Sequence, residues 1–239
     1  MSRRSLILVA LWLAAFAAGL AADRPVAKYA KDRGWDEKRT WTRTTVRTTE
    51  TLKVPGTYLT VLATAALLAT FHPAGWRAAA LVAGSGVLSG ANFLLKWIAG
   101  RRRPVTGIRP FEFDLFVGGL PGLFGAEKNL SFPSGHAALA FAAASALAVC
   151  LPRWRVAFYA VAAVVGLERI AENAHYVSDT VAGAAVGVAS TYVALALCRR
   201  FIPKWDEGWP ERPSPGPKRG SADVHAAPLL ASANPQSEI

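Results

Sequence analysis

The sequence predicts an all-α membrane protein, a polytopic helical bundle of about six transmembrane helices. Three observations carry that expectation. Of the 239 residues 52% are hydrophobic, with a mean hydropathy of +0.26, which is too apolar for an ordinary soluble domain. The apolar residues are gathered into long runs rather than spaced along one helical or strand face. The charges lie between those runs and in the C-terminal segment. Helices of this kind satisfy their own backbone hydrogen bonds in lipid, and nothing in the pattern suggests a β-barrel.

The net charge of +11 and pI near 10.2 would suggest nucleic acid in a soluble chain. Placed between apolar runs, the same charge points to lipid headgroups or anionic substrates, and no nucleic-acid partner is expected. The two cysteines, Cys150 and Cys198, each close an apolar run and have no metal-ligand spacing; they read as small buried hydrophobes.

The first apolar run is Leu6 to Ala22, behind Arg3 and Arg4. Its basic start and small residues at Ala21 and Ala22 also fit a cleaved signal peptide, but a retained span suits the architecture better. A charged loop rich in Thr, Arg and Lys follows, residues 23–53. Val54 to Phe71 is the second span, and Trp76 to about Ile98 the third. The third contains "GVLSG", a small-residue spacing that lets helices approach closely. A mixed loop runs from Gly100 to about Leu130. Within it, Pro110 to Gly125 mixes aromatics, glycines and acids, and reads equally as an interfacial lid or as a bilayer-hugging connector. The fourth span opens at Ser134 and ends before Pro152; the fifth covers Val156 to about Leu167 and continues toward Arg169. The sixth is Val181 to Cys198, with a second small-residue pattern, "GAAVG". The membrane domain is therefore expected over residues 1–200, with residues 201–239 a Pro-, Ser- and charge-rich disordered tail in which His225 has no visible role.

Arg3 and Arg4 favour a cytoplasmic N-terminus. Six spans return the C-terminus, with Arg199, Arg200 and Lys204, to the same side, together with Arg77, Arg153 and Arg155. The opposite loops are basic as well, so charge counting alone leaves the orientation open unless those outer residues have another task.

Ionisable residues at span ends are costly and usually functional. Three clusters stand out: "KWIAGRRRP" from Lys96 to Pro104, "PSGH" from Pro133 to His136, and "ERIAENAHYVSD" from Glu168 to Asp179. The first two flank one loop. Two spans then carry the chain across and back, so the third cluster lies on the same face.

Lys96, Arg103 and Arg169 are cations suited to phosphate oxygens. Ser134 and Gly135 stand at an expected helix N-terminus, where backbone N–H groups and the helix dipole favour an anion. His136 and His175 are able to move protons or attack near neutral pH. Asp179 follows His175 by four residues, so on a helix the two share a face, and a carboxylate on one ring nitrogen frees the other's lone pair. Singly, each has an ordinary explanation: an interfacial anchor for Lys96 or Arg103, an N-cap for Ser134, a helix pair for His175 and Asp179. Their joint occurrence on one face favours a site for a tetrahedral oxyanion. Arg101 and Arg102 read as interfacial anchors, and Glu172 as a solvated loop charge.

Taken in order, K-x6-R-P at Lys96 to Pro104, P-S-G-H at Pro133 to His136 and R-x5-H-x3-D at Arg169 to Asp179 resemble the three signature motifs of the type 2 phosphatidic acid phosphatase family. One position departs: Glu168 stands before Arg169 where the family usually has serine, and it either orients Arg169 or faces away.

The resemblance implies a metal-independent, cofactor-free lipid phosphatase of the bacterial inner membrane, its site on the extracytoplasmic face and its tail cytoplasmic. It implies attack by His175 to form a phosphohistidine, Asp179 orienting and stabilising that ring, and His136 protonating the leaving group and later activating water. Lys96, Arg103, Ser134, Gly135 and Arg169 would hold the phosphate oxygens. The residues alone do not say which histidine attacks; the spacing to Asp179 only favours His175. Phosphatidate-type lipids and polyprenyl diphosphate rank first as substrates, with phosphatidylglycerophosphate and lipid A 1-phosphate also open. A phosphotransferase using the same intermediate, a non-enzymatic anion carrier and a haloperoxidase are the alternatives. The carrier has no need of two histidines and Asp179, and membrane architecture disfavours the haloperoxidase.

Overall fold

The computed structural model describes residues 3–34, 56–117, 119, 129–207 and 209. Among these the expected helical passages are all present and no strand forms, the one β feature being an isolated bridge between Arg102 and Leu130. We label the helices α1 (Arg3–Asp32), α2 (Tyr58–Phe71), α3 (Trp76–Ser89), α4 (Asn92–Ala99), α5 (Gly135–Cys150), α6 (Arg155–Ala171) and α7 (Val177–Phe201).

The Leu- and Ala-rich first run favours helix, and α1 continues past the expected end at Ala22 through Pro25 to Asp32. It is a packed element of the bundle: the Trp12 indole N–H donates to the Val181 carbonyl at 3.2 Å, and Gly19 lies against the backbone of Ser178. Most of the expected charged loop, residues 35–53, and the first residues of the expected second span lie outside the described residues. Helix α2 starts at Tyr58, where the hydroxyl of Thr57 accepts from the Thr60 N–H.

The third passage is interrupted. Helix α3 stops at Ser89, Gly90 and Ala91 form a turn, and α4 restarts at Asn92. Together Trp76–Ala99 is still long and apolar enough to cross a membrane, as are Ser5–Asp32 and Val177–Phe201, while α2 and α5 are shorter apolar helices. Helix α4 ends at Gly100 with φ of 60°; a Cβ there would meet the Asp114 carbonyl oxygen at 1.8 Å, so only glycine fits. Helix α7 begins at Val177, four residues before the expected start of the sixth span.

Helix α5, dominated by alanine, sits among α3, α6 and α7. Both small-residue patterns fall on close contacts. Gly86 faces Val61 of α2 and Leu139 of α5, and Gly183 and Gly187 of α7 lie against the backbone of α5 at Ser134 and Ala138. Val61, Leu81, Val82 and Leu139 fill the core, whereas Leu6, Leu62, Val87, Val156 and Tyr192 point outward. That outer apolar surface suits lipid rather than water and makes this an integral membrane protein.

At the end of the bundle away from the three clusters, the Ala74 N–H donates to His72 Nδ1, so His72 Nε2 carries its proton to the Cys150 carbonyl at 3.0 Å. Trp205 is buried there, Trp209 packs edge-on against His72, and Arg77 donates to the Glu207 carbonyl. The chain is thus packed as far as Trp209, beyond the expected start of the tail, and residues 210–239 lie outside the described residues. Cys150 and Cys198 are free and buried, as expected.

A Cβ on Gly187 would sit 2.1 Å from the Ala138 carbonyl oxygen, whereas one on Gly84 would meet its nearest neighbour, Ala194, at 3.7 Å. Gly187→Ala is therefore expected to destabilise the bundle by about 1–3 kcal/mol or more, and Gly84→Ala to be tolerated. Thermal unfolding of both variants in detergent checks this; equal melting temperatures would contradict it.

Candidate active site

The three clusters meet at one end of the bundle, tied by the backbone. The Ser131 N–H donates to the Arg101 carbonyl at 2.7 Å, joining the segment after α4 to the segment before α5. The Ser134 N–H donates to the Asp179 carbonyl at 2.9 Å, joining the mouth of α5 to the first turn of α7. The Val105 N–H donates to the Asn173 carbonyl at 3.1 Å, joining the first cluster to the third.

His175 lies just before α7 and is only 2% exposed. Its Nδ1 is 2.8 Å from the Ser131 carbonyl oxygen, which can only accept, so Nδ1 holds the proton and Nε2 carries the lone pair. The spacing to Asp179 does bring that carboxylate near, with Oδ2 at 3.8 Å from Nδ1. That is an electrostatic separation rather than a hydrogen bond. The tautomer is held by Ser131, and Asp179 Oδ2 instead accepts the Tyr176 N–H at 2.8 Å and caps α7.

Burial pushes the His175 pKa down to about 4. Asp179 opposes this, while the charges of Arg103 and Lys96 reinforce it. Those two cations are therefore close enough to act on the ring. Lys96 is almost fully buried, and its Nζ would lie 3.9 Å from a Cβ placed on Gly135. Arg103 is half-buried.

Ser134 is fully buried and is the N-cap of α5, its Oγ accepting from the Ala137 N–H at 3.5 Å. His136, half-buried, occupies the first turn of that helix. First-turn N–H groups have no acceptor within a helix, so the mouth of α5 beside Lys96 is suited to an oxyanion.

Arg169 differs from a freely offered cation. Its guanidinium is clasped between Glu168, at 3.3 Å, and Glu172. Glu168 thus orients Arg169. The expectation of a solvated Glu172 is corrected: it is 8% exposed, because a buried arginine needs counter-charge from the next helical turn.

Arg101 requires a second correction. Expected at the membrane interface, it is fully buried. Its Nη1 donates to Asp179 Oδ1 and, at 2.8 Å, to Ser178 Oγ, and its Nη2 donates to Asp23 of α1 at 2.6 Å. The guanidinium also lies over the Tyr176 ring, 4.1 Å from its centroid. Arg102 is exposed, as an interfacial residue should be.

Asn92 is a further residue that spacing did not single out. One turn before Lys96, it is buried, its Nδ2 donates to the Pro133 carbonyl at 3.1 Å, and it lies beside Gly135. Its place four residues ahead of Lys96 on one helix was the available signal. Of the segment Pro110 to Gly125, read equally as a lid or a connector, residues 110–117 and 119 are described; Phe111, Leu115 and Phe116 are exposed, and Phe113 packs edge-on against Phe132. Among the described residues no group of three or more His, Cys, Asp or Glu is placed to hold a metal ion.

Comparison with known proteins gives a consistent picture. A family model described as the PAP2 superfamily matches residues 74–203, just over half of the chain. A lipid A 1-phosphatase of Rhizobium johnstonii is 38% identical over 131 residues, which is 53% of this chain and 50% of that protein. The lipid A 1-phosphatase of Rhizobium etli is also 38% identical over 131 residues, covering 53% of this chain and 52% of its own length. The chain therefore spans about half the length of these curated relatives. A crystal structure of a PAP2 type phosphatidylglycerolphosphate phosphatase from Bacillus subtilis aligns with a TM-score of 0.54 at 19% identity, covering 83% of this chain and 98% of the other, and shares its fold.

The His175 site has a pH consequence. The unfolded ring takes up a proton near its ordinary 6.5, but the folded ring does not until about 4. Protons therefore favour the unfolded state between those values, and this group's effect on stability should be a decline as pH falls from about 6.5 to 4, levelling below. An NMR titration of the His175 ring in micelles measures the midpoint directly; a value at or above 6.5 would contradict the burial-driven shift.

Proposed function

The chain belongs to the PAP2 superfamily, and we propose that it is an integral-membrane lipid phosphate phosphatase working through a phosphohistidine on His175. The observation that carries this reading is the convergence at one bundle end of a neutral, lone-pair-bearing His175, the cations Lys96 and Arg103, and the mouth of α5 with His136. An anion carrier would need the cations but gains nothing from a histidine held in one tautomer beside a carboxylate.

The chemistry is a double displacement. His175 Nε2 attacks phosphorus, a P–N bond forms, and the bond to the leaving oxygen breaks as that oxygen takes a proton from His136. Water then gives its proton to His136 and attacks phosphorus; the P–N bond breaks and inorganic phosphate leaves. Assistance by His136 as acid and then base is worth about 10²–10⁴-fold. Asp179 supports the positive charge that the His175 ring acquires. Lys96, Arg103, Ser134 and Gly135 bind the non-bridging oxygens, with Arg169 presented by its two glutamates.

Among substrate classes, the similarity to lipid A 1-phosphatases moves a glycolipid 1-phosphate ahead of the phosphatidate and polyprenyl lipids. The site lies on the extracytoplasmic side of the inner membrane, which gives the outer basic residues Arg103 and Arg169 a task and leaves Arg77, Arg153, Arg155, Arg199 and Arg200 to the cytoplasmic side. A lipid phosphotransferase with the same intermediate is separated only by whether water or a second lipid accepts the phosphoryl group.

Phosphate release from a lipid panel in detergent, with EDTA present, tests the proposal. Wild type should act on a lipid A-type 1-phosphate, His175→Ala should lose all turnover, and His136→Ala should fall by about 10²–10⁴-fold. Turnover persisting in His175→Ala would sink the mechanism, and abolition by EDTA would remove its metal independence.

A further inference from the structure

We propose that Asp23 and Arg101 are positioning residues for the reaction, forming a buried clasp through which helix α1 sets the charge and orientation of Asp179 beside His175. This rests on the reading of His175 as nucleophile, and adds to it two residues outside the three motifs' matched positions, one of them on a helix that the family model does not reach.

The contacts form a closed circuit. Arg101, Asp23, Ser178 and Asp179 are all fully buried. Arg101 spans the two acids, with Nη1 to Asp179 and Nη2 to Asp23. Asp23 in turn accepts from the Ser178 N–H at 2.9 Å and the Ser178 hydroxyl at 2.6 Å, which anchors it to the first turn of α7. A buried arginine between two carboxylates carries a formal group charge of −1. Removing Asp23 would leave Arg101 and Asp179 as a neutral pair, and the arginine's full charge would bear on Asp179.

That matters because Asp179 is 3.8 Å from the His175 ring and faces no competing donor from it, since Nδ1 is bonded to Ser131. Its contribution to His175 is electrostatic, so its effective negative charge is what counts. The charges that act on the His175 ring are Asp179 on α7, Lys96 on α4 and Arg103 in the following loop; Arg101 and Asp23 reach it through Asp179, and Arg169 with Glu168 and Glu172 closes the end of α6. His136 stands at the mouth of α5. Of these anions, Asp23 is the one contributed by α1. When the ring becomes cationic on phosphorylation, the Asp23–Arg101–Asp179 group is the counter-charge on its Nδ1 side. Binding of the substrate phosphate, by contrast, falls to Lys96, Arg103 and α5, none of which Asp23 touches among the contacts above.

The test uses full-length protein in micelles and the variants Asp23→Asn, Asp23→Glu and Arg101→Lys, with His175→Ala alongside. Asp23→Asn keeps an oxygen for the Ser178 N–H, but puts an amide N–H donor where a carboxylate oxygen accepted from Arg101 and the Ser178 hydroxyl, so the charge and the ion pair to Arg101 are lost together. It should lower kcat on a lipid A-type 1-phosphate by about 10- to 100-fold while KM stays within about threefold. Asp23→Glu should recover part of the loss. In an NMR titration, the His175 midpoint of Asp23→Asn should fall below that of wild type, because the charge of Arg101 then bears undivided on Asp179, the anion beside the ring. Unchanged kcat together with an unmoved His175 midpoint would overturn the proposal. So would a kcat loss that merely follows the loss of folded protein in a melting assay. If wild type releases phosphate from no lipid, the phosphatase reading fails; the His175 midpoint in Asp23→Asn then decides the clasp by itself.

Discussion

A charge removed from water must find its counter-charge close at hand, and this requirement organises the whole end of the bundle where the three clusters meet. It is met twice in the same form. Arg101 lies between Asp23 and Asp179, and Arg169 lies between Glu168 and Glu172. Arg101 draws two acids from distant parts of the chain into one place, whereas the two acids of Arg169 are its near neighbours in sequence. The first group joins α1, the loop after α4 and α7; the second closes the end of α6. A pair missing one member would leave an uncompensated buried ion, which is strongly destabilising, so the geometry around His175 is held by the same pairing that makes its burial tolerable.

Around these groups the helices act as a rigid platform. The first turn of α7 presents Asp179, the N-terminus of α5 presents Ser134, Gly135 and His136, and α4 presents Asn92 and Lys96 on one turn. The break at Gly90 and Ala91 separates α4 from α3 and lets α4 be placed independently of the core-packing portion of that passage. Backbone hydrogen bonds between Ser131 and Arg101 and between Ser134 and Asp179 then bring the pieces into register. The opposite end is closed by different means: an aromatic and histidine cap of His72, Trp205 and Trp209.

Much of this was legible in the sequence, and the reasons are physical. Long apolar runs have few folding options in lipid, so the all-helical bundle followed from composition and blocking. A four-residue spacing placed His175 near Asp179, because short-range chain geometry is independent of the rest of the fold, and the count of spans put Lys96 and Gly135 on one membrane face. What was hidden depended on distant parts of the chain. Within "RRR", nothing local distinguishes Arg101 from Arg102; the difference is that Arg101 meets Asp23 on a helix some eighty residues earlier. Glu172 looked solvated because its partner's burial is a tertiary fact. The proton on His175 is held by a carbonyl, Ser131, and a main-chain acceptor leaves no mark in side-chain identity. Similarly, the polar segment after Pro203 gave no sign that Trp205 would be buried against the bundle.

The contact between α5 and α7 has an implication for how such a site can change over time. Gly183 and Gly187 bring the two backbones together without intervening side chains, so the helices that carry His136 and Asp179 can neither slide nor spread apart to admit a bulkier neighbour. Innovation in this frame is channelled away from the chemical centre. New preferences would be acquired in the segments that surround it, such as the exposed aromatics Phe111 and Phe116, whose replacement leaves the helix seam untouched. A seam this close takes no added side chain without parting the two helices, and so leaves change in the chain to the surface beyond it.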